Sequence, residues 1–201
     1  MVNVKFHFLY YTKSGFLNYL WQDGSTSQTF TAISSGLYWC QVQQLGTNQI
    51  QNGDFELGDN FFSSTYTNGT GGVWGTLSNP GTYEVSVNPQ LEHNNFMPCG
   101  DHSSGNGQML VVNGASTAGS NVWCQSISVA PNTDYQFSTW IANALNDPNV
   151  AQLQFSIDGN PLGAIFSTNP NGCLWEEFTA VWNSGSSTNV TICITNQNTS
   201  G

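Results

Sequence analysis

The chain is built from short apolar segments that recur at short intervals and are separated by turn-forming residues. No apolar pattern with the helical period of 3.6 residues continues over the length of a helix. Turn signals such as Asn88-Pro89 and Asp158-Gly159 lie between the segments. Short strands at such spacing predict an all-β fold, a β-sandwich, and the jelly roll is the arrangement we expect.

Seven segments of the main body are predicted to be strands. They are 82–87, 109–112, 122–129, 135–143, 152–157, 175–182 and 189–195. Because successive side chains of a strand point to opposite faces, alternation also predicts which residues are in the core. Along 152–157 it directs Leu153, Phe155 and Ile157 inward, and along 175–182 it directs Phe178 inward.

The charge of the chain excludes several classes of partner. Charged residues make up 7% of the 201 residues, with two Lys, no Arg and a formal net charge of −10. Binding to phosphate or to anionic lipid needs Lys and Arg, so we expect no nucleic acid and no anionic membrane surface as partner. No apolar run approaches the roughly 20 residues of a membrane helix, so we also expect no membrane insertion. The 13% of aromatic residues favours a packed core.

The chain divides on composition into residues 1–45 and 46–201. In the first part the strands 19–25, 29–31 and 37–42 are predicted, with an Asp23-Gly24 turn. A few strands cannot bury both faces of a sandwich. We therefore expect this small β module to pack on the main body, to pair with another chain or to stay poorly ordered.

Five cysteines lie at positions 40, 99, 124, 173 and 193, and none forms a C-x-x-C pair. The four in 46–201 are able to form two disulfides, in any of three pairings, with Cys40 left over. The amide-rich surface favours an exported protein, in which disulfides form. Buried free thiols are the alternative.

Two motifs form a candidate metal site. The first, Asn52-Gly53-Asp54-Phe55-Glu56, is predicted to be a short strand, and the second is a glycine- and serine-rich loop that begins at Pro98 and contains Asp101. Carboxylates and loop carbonyls are calcium ligands. Glu56 and Asp101 are the candidate ligands, with Asp54 third, and the calcium ion would be structural. The alternative for Asp101 is that it caps its own turn.

A zinc site is a further alternative. His93, Cys99 and His102 lie close together in the sequence, although their spacing matches no common zinc pattern.

The two motifs together resemble those of MAM-type domains and of jelly-roll, galactose-binding-like carbohydrate-binding modules on secreted adhesion and gliding-associated proteins of Bacteroidetes-like bacteria. The resemblance covers about residues 50–201. It implies a structural calcium ion and a binding or adhesion role. It also implies a last strand with paired acids, which we do not find in 196–201. Residues 1–45 resemble the second half of an Ig-like or PKD-like repeat of bacterial surface proteins.

Alternation also predicts a ligand-binding face. Aromatic rings stack on the apolar face of a sugar ring, and amides bond to its hydroxyls. The predicted platform consists of Trp140, Trp175, Gln136, Gln152 and Gln154, with Trp74 and Tyr83 at its rim.

No pattern of catalytic residues is present. Glu176 and Glu177 are neighbours on one strand, so they point to opposite faces and cannot flank one glycosidic bond. Neither a G-x-S-x-G elbow nor a phosphate-binding loop occurs. We therefore expect a non-enzymatic module that binds a polysaccharide or glycan, in a secreted or bacterial cell-surface protein. The alternatives are a structural or cell-adhesion module with protein partners, and an accessory domain of a secreted hydrolase.

Overall fold

The computed structural model describes residues 2–9, 16–27, 29–32, 37–44 and 48–199. Within these ranges strands dominate, and helix is confined to the single turn α1 (Pro89–Glu92). The all-β class is therefore confirmed, and the jelly-roll arrangement stays a prediction. The strands are β1 (Val2–Leu9), β2 (Phe16–Trp21), β3 (Cys40–Gln44), β4 (Thr67–Asn68), β5 (Thr82–Ser86), β6 (Met109–Asn113), β7 (Asn121–Ser128), β8 (Asp134–Asn143), β9 (Gln152–Ile157), β10 (Asn160–Pro161), β11 (Phe166–Ser167), β12 (Glu176–Asn183) and β13 (Asn189–Asn196).

All seven strands predicted for the main body are present, each within one residue of its expected ends. They form two sheets. The first has the order β12-β8-β1-β6-β5-β4, and the second has the order β10-β9-β13-β7, with β11 also paired to β9. The pairings are antiparallel except for β4 with β5.

The core lies between these two sheets. Phe178 of the first sheet stacks on Phe155 of the second, with ring centroids 3.8 Å apart. Phe137 and Ile141 of β8 are fully buried, as is Ile192 of β13. The inward directions predicted from alternation along β9 and β12 are confirmed, because Leu153, Phe155, Ile157 and Phe178 all belong to this core.

The amino-terminal strand lies inside the first sheet. β1 pairs with β8 on one side and with β6 on the other, so that Val4 is opposite both Ile141 and Leu110. β2 and β3 form a separate two-stranded sheet. Residues 29–31 are not a strand, so that prediction is wrong. The Phe30 ring stacks on Trp21, with ring centroids 5.0 Å apart. The division of the chain at residues 45 and 46 stays a prediction.

Two disulfides hold the sandwich together. Cys124 pairs with Cys193 across the neighbouring strands β7 and β13. Cys99 pairs with Cys173 and joins the loop before β6 to the loop before β12. Two disulfides with Cys40 left over, as the sequence predicted, are therefore confirmed. The three possible pairings reduce to this one.

A second apolar cluster covers the outward face of the first sheet. Met109 and Val111 alternate with the core residues of β6, and they are nevertheless fully buried. Leu77, from the loop before β5, and Phe96, from the loop after α1, pack on them together with Ala144. We call this cluster the outer layer. Ala142, which also points outward from β8, is buried as well.

His93 makes the outer layer sensitive to pH. Its ring stacks on Phe96 at 4.4 Å, and its Nδ1 accepts a hydrogen bond from the Asn95 N–H at 3.2 Å. Burial lowers the pKa of His93 below its ordinary value. As the pH falls, His93 is therefore protonated in the unfolded chain before it is protonated in the folded chain. Its contribution to the free energy of unfolding is fully present above about pH 6.5, and it is lost as the pH falls from there through the pKa of the folded state.

We expect the melting temperature of the wild type to fall between pH 7 and pH 5 by more than that of His93→Phe, which keeps a ring and cannot titrate. Thermal unfolding of both proteins across this range measures the difference. Equal pH dependence in the two proteins would contradict a role for His93.

Candidate functional site

Asp101 organises the loop between Cys99 and β6. Its Oδ2 accepts the N–H groups of Ser103 and Ser104 at 2.9 and 3.0 Å. Its Oδ1 accepts the Ser104 hydroxyl and the Gly107 N–H, both at 2.7 Å. Asp101 is 4% exposed. The carboxylate therefore ties residues 101–107 into one closed turn, as expected of a residue that caps its own loop.

Glu56 reaches the same loop from a segment far away in the sequence. Its Oε1 accepts the N–H of Gln108 at 2.9 Å. A Cβ atom at Gly107 would lie 2.3 Å from Glu56 Oε1 and 3.3 Å from Asp101 Cγ. Both carboxylates thus lie against Gly107, which has to be a glycine for this approach. The two acids that the sequence paired are brought together.

The segment that carries Glu56 is a series of turns, so its prediction as a strand is wrong. Asn52 and Phe55 have positive φ angles of 51° and 61°, which break an extended chain. The Asn52 side chain accepts the Leu57 N–H and donates to the Gly58 carbonyl. Asp54 therefore does not share a strand face with Glu56.

The hydrogen bonds that Asp101 accepts limit its capacity to bind calcium. A carboxylate has about four lone-pair positions, and Asp101 already accepts four hydrogen bonds. Other oxygen ligands would have to come from Glu56, which reaches this loop, and from backbone carbonyls of the loop. Among the residues described, no group of three or more His, Cys, Asp and Glu side chains lies close enough to hold a metal ion. Calcium stays a prediction, and Asp54, its third candidate ligand, is exposed.

The zinc alternative is wrong. Cys99 is bonded to Cys173, so it cannot supply the thiolate that zinc requires.

Three aromatic rings meet where this loop lies over β8. His102 stacks on Trp140 with ring centroids 3.8 Å apart and 11° between the planes. The ring of Trp175 lies edge-on to His102 at 5.9 Å. We call these three residues the aromatic cluster. Each is partly exposed, and the cluster lies on the outward face of the first sheet.

Polar groups flank the aromatic cluster. Glu177 is directly opposite Trp140 across the β8–β12 pair. Gln136, on the same side of β8, donates to the Thr179 hydroxyl at 3.0 Å. Trp175 packs against the outer layer, and its Nε1–H donates to the Gly100 carbonyl at 3.3 Å.

The remaining residues of the predicted platform lie elsewhere. Gln152 and Gln154 are on the outward face of β9, which belongs to the other sheet. Tyr83 faces the core. Trp74 is 49% exposed and lies beside His93. The expected single platform therefore does not form, because the outward faces of two stacked sheets point in opposite directions.

Tyr83, predicted at the rim of the platform, instead contacts the loop that contains Asp59. Its hydroxyl donates to the Asp59 carboxylate at 2.9 and 3.0 Å. Burial, with the adjacent Asp59 charge, raises the pKa of Tyr83 to about 12. Burial also raises the pKa of Glu84, the next residue of β5. Tyr83 thus fastens the 58–60 loop to the edge of the sheet.

Sequence reasoning missed His102 as a member of this site. Strand alternation identified Trp140, but it carries no information on which loop residue covers an outward ring. His102 directly follows the loop-organising Asp101, and that adjacency was the available signal.

Comparison with protein-family models and with curated proteins finds no match to this chain. The described residues contain no helix whose length and hydropathy would let it span a membrane. The two disulfides are typical of a protein that folds in an oxidising compartment.

Proposed function

We propose that this chain is a non-catalytic binding module for neutral glycans, within a secreted or cell-surface protein. The observation that carries the proposal is the aromatic cluster with its polar border of Gln136, Thr179 and Glu177. Flat rings beside amide, hydroxyl and carboxylate groups suit the alternating apolar and hydroxyl surfaces of a sugar. The net charge of −10 disfavours anionic polysaccharides.

The position of His102 refines this proposal. It covers one face of Trp140, so a sugar has to stack on the exposed part of the His102–Trp140 pair or displace the imidazole. His102 stands at the start of the Asp101 turn, which fixes the backbone beside it. We therefore propose that the 101–107 loop determines the shape of the sugar-binding surface.

Trp140→Ala tests the proposal in the whole chain. We expect binding to a neutral polysaccharide in affinity electrophoresis to weaken at least about tenfold, which corresponds to ~1.4 kcal/mol. Trp39→Ala is the matched control, because Trp39 is 54% exposed and lies in the segment next to β3. We also expect His102→Ala to change the affinity, since it uncovers the Trp140 ring. Unchanged affinity in Trp140→Ala that is folded like the wild type contradicts the proposal.

A structural or adhesion module with a protein partner is the second candidate. It is favoured by Val181, which is 68% exposed on β12, an edge strand of the first sheet. Edge strands present unpaired backbone groups to other chains. Absence of binding to every polysaccharide and to a glycan array would favour this candidate over the first.

A further inference from the structure

A cleft of about 270 Å³ is lined by residues of both sheets, none of which belongs to the aromatic cluster. Its wall includes the apolar core residues Val112, Val122 and Leu153, which come from both sheets. The polar side chains of Tyr66, Asn143 and Asp147 line it as well. Asn143 points to the core side of β8, whereas Trp140 points outward and lies about 10 Å along the strand. The cleft and the aromatic cluster are therefore separate surfaces.

We infer that this cleft is a second ligand site, which takes a single neutral sugar ring such as the terminal unit of a glycan. The choice of a sugar rests on the proposed function, and the site itself rests on the residues that line it.

Asn143 is the observation that points to a ligand. Its side chain is 1% exposed, and its Nδ2 atom has no hydrogen-bond partner among the described residues. Leaving a buried donor unpaired is costly, so such groups call for an explanation. Exchanging the amide nitrogen and oxygen does not remove the problem. The Asn143 Oδ1 accepts the Leu145 N–H, and a flipped amide would set two donors against each other.

The neighbouring polar groups define what the ligand must offer. The Tyr66 hydroxyl accepts the Ala115 N–H at 2.9 Å, which leaves its own hydrogen to donate. Burial raises the pKa of Tyr66, so this hydrogen stays in place at neutral pH. Asp147 supplies a carboxylate acceptor, and one of its oxygens already holds the Asn149 N–H. Two donors and an acceptor around an apolar wall match a ring that has hydroxyls along its edge.

Size and charge restrict the ligand further. The volume lies just below the range of about 300–1,000 Å³ typical of sites for drug-sized ligands, so one ring fits better than an oligosaccharide. The described residues that line the cleft include the Asp147 carboxylate and no Lys, Arg or His. An acidic sugar would therefore meet a like charge in a partly buried setting, which is unfavourable.

NMR titration of the ¹⁵N-labelled full chain tests the inference with three probes: methyl glucopyranoside, methyl galactopyranoside and glucuronic acid. We expect at least one neutral glycoside to shift the amides of residues 143–151, and glucuronic acid to bind at least tenfold more weakly. Shifts confined to residues around Trp140 would overturn the cleft and leave the proposed function standing. Shifts confined to the cleft would support the cleft as a sugar site and count against the aromatic cluster. If neither neutral glycoside produces a shift, the inference is overturned.

Variants separate ligand binding from a structural role. Asn143→Leu removes the unpaired donor, so we expect glycoside binding to weaken at least tenfold while the melting temperature does not fall. Asn171→Leu, an exposed Asn outside both sites, is the matched control. If Asn143→Leu does not fold, Asp147→Asn on the half-buried loop answers the same question, because it should narrow the difference between neutral and acidic probes. Unchanged binding in Asn143→Leu, or an unchanged probe preference in Asp147→Asn, would overturn the inference.

Discussion

Replacing both Cys99 and Cys173 with alanine is expected to lower the free energy of unfolding by about 4 kcal/mol. The two cysteines are separated by 74 residues along the chain. Without the cross-link the unfolded chain gains conformational entropy, by an amount that grows with the loop closed. Cys99 is also 3% exposed, so the substitution removes buried sulfur atoms from a packed region.

The same disulfide positions the aromatic cluster. It holds the loop with Gly100 and His102 beside the residues that precede Trp175, whose Nε1–H donates to Gly100. Urea unfolding of the double variant measures the stability, and tryptophan fluorescence reports the environment of the cluster. Cys40→Ala is the control, because Cys40 carries a free thiol. A loss below about 1 kcal/mol in the double variant would contradict this prediction.

Asp101→Ala is expected to lower the free energy of unfolding by about 3 kcal/mol. The substitution removes the acceptor of four hydrogen bonds and leaves the N–H groups of Ser103, Ser104 and Gly107 without their partner. Asp101→Asn keeps one acceptor oxygen, so we expect an intermediate loss. Asp54→Ala is the matched control. Asp54 is exposed, and its replacement should change stability by no more than about 0.5 kcal/mol.

Measurements in calcium and in a chelator distinguish a role of Asp101 as hydrogen-bond acceptor from a role as calcium ligand. The four hydrogen bonds need no cation, so we expect the loss in Asp101→Ala to be the same under both conditions. A chelator that lowers the melting temperature of the wild type, and has no such effect on Asp101→Ala, would contradict a purely structural carboxylate. That result would favour the calcium site.

Strand positions were predictable because alternation is a local property of the chain. Side chains that point the same way along β9 or β12 are two residues apart, so the sequence alone shows the period. The turns around Glu56 were not predictable in the same way. Phe55 has no intrinsic preference for a positive φ angle, and it keeps one where its ring is fully buried and packs on Phe62.

The candidate sites, like the strands and turns, were predictable only where the signal is local in the sequence. The approach of Glu56 to Asp101 followed from motif chemistry, because two acids with a glycine-rich loop suggest a shared environment. The grouping of Trp140 with Gln152 and Gln154 failed, because alternation shows whether a side chain points outward and not from which sheet. The cleft at Asn143 had no signal in the sequence, since its walls come from strands far apart in the chain.

The sequence by itself determined the all-β class, the extent of the main strands and the inward residues. Each of these depends on composition or on a period of two residues. Only the tertiary structure decided the order of strands, the place of β1 between β8 and β6, the pairing of cysteines and the covering of Trp140 by His102. These depend on contacts between distant segments, for which packing of the whole chain selects one arrangement among many that local patterns allow.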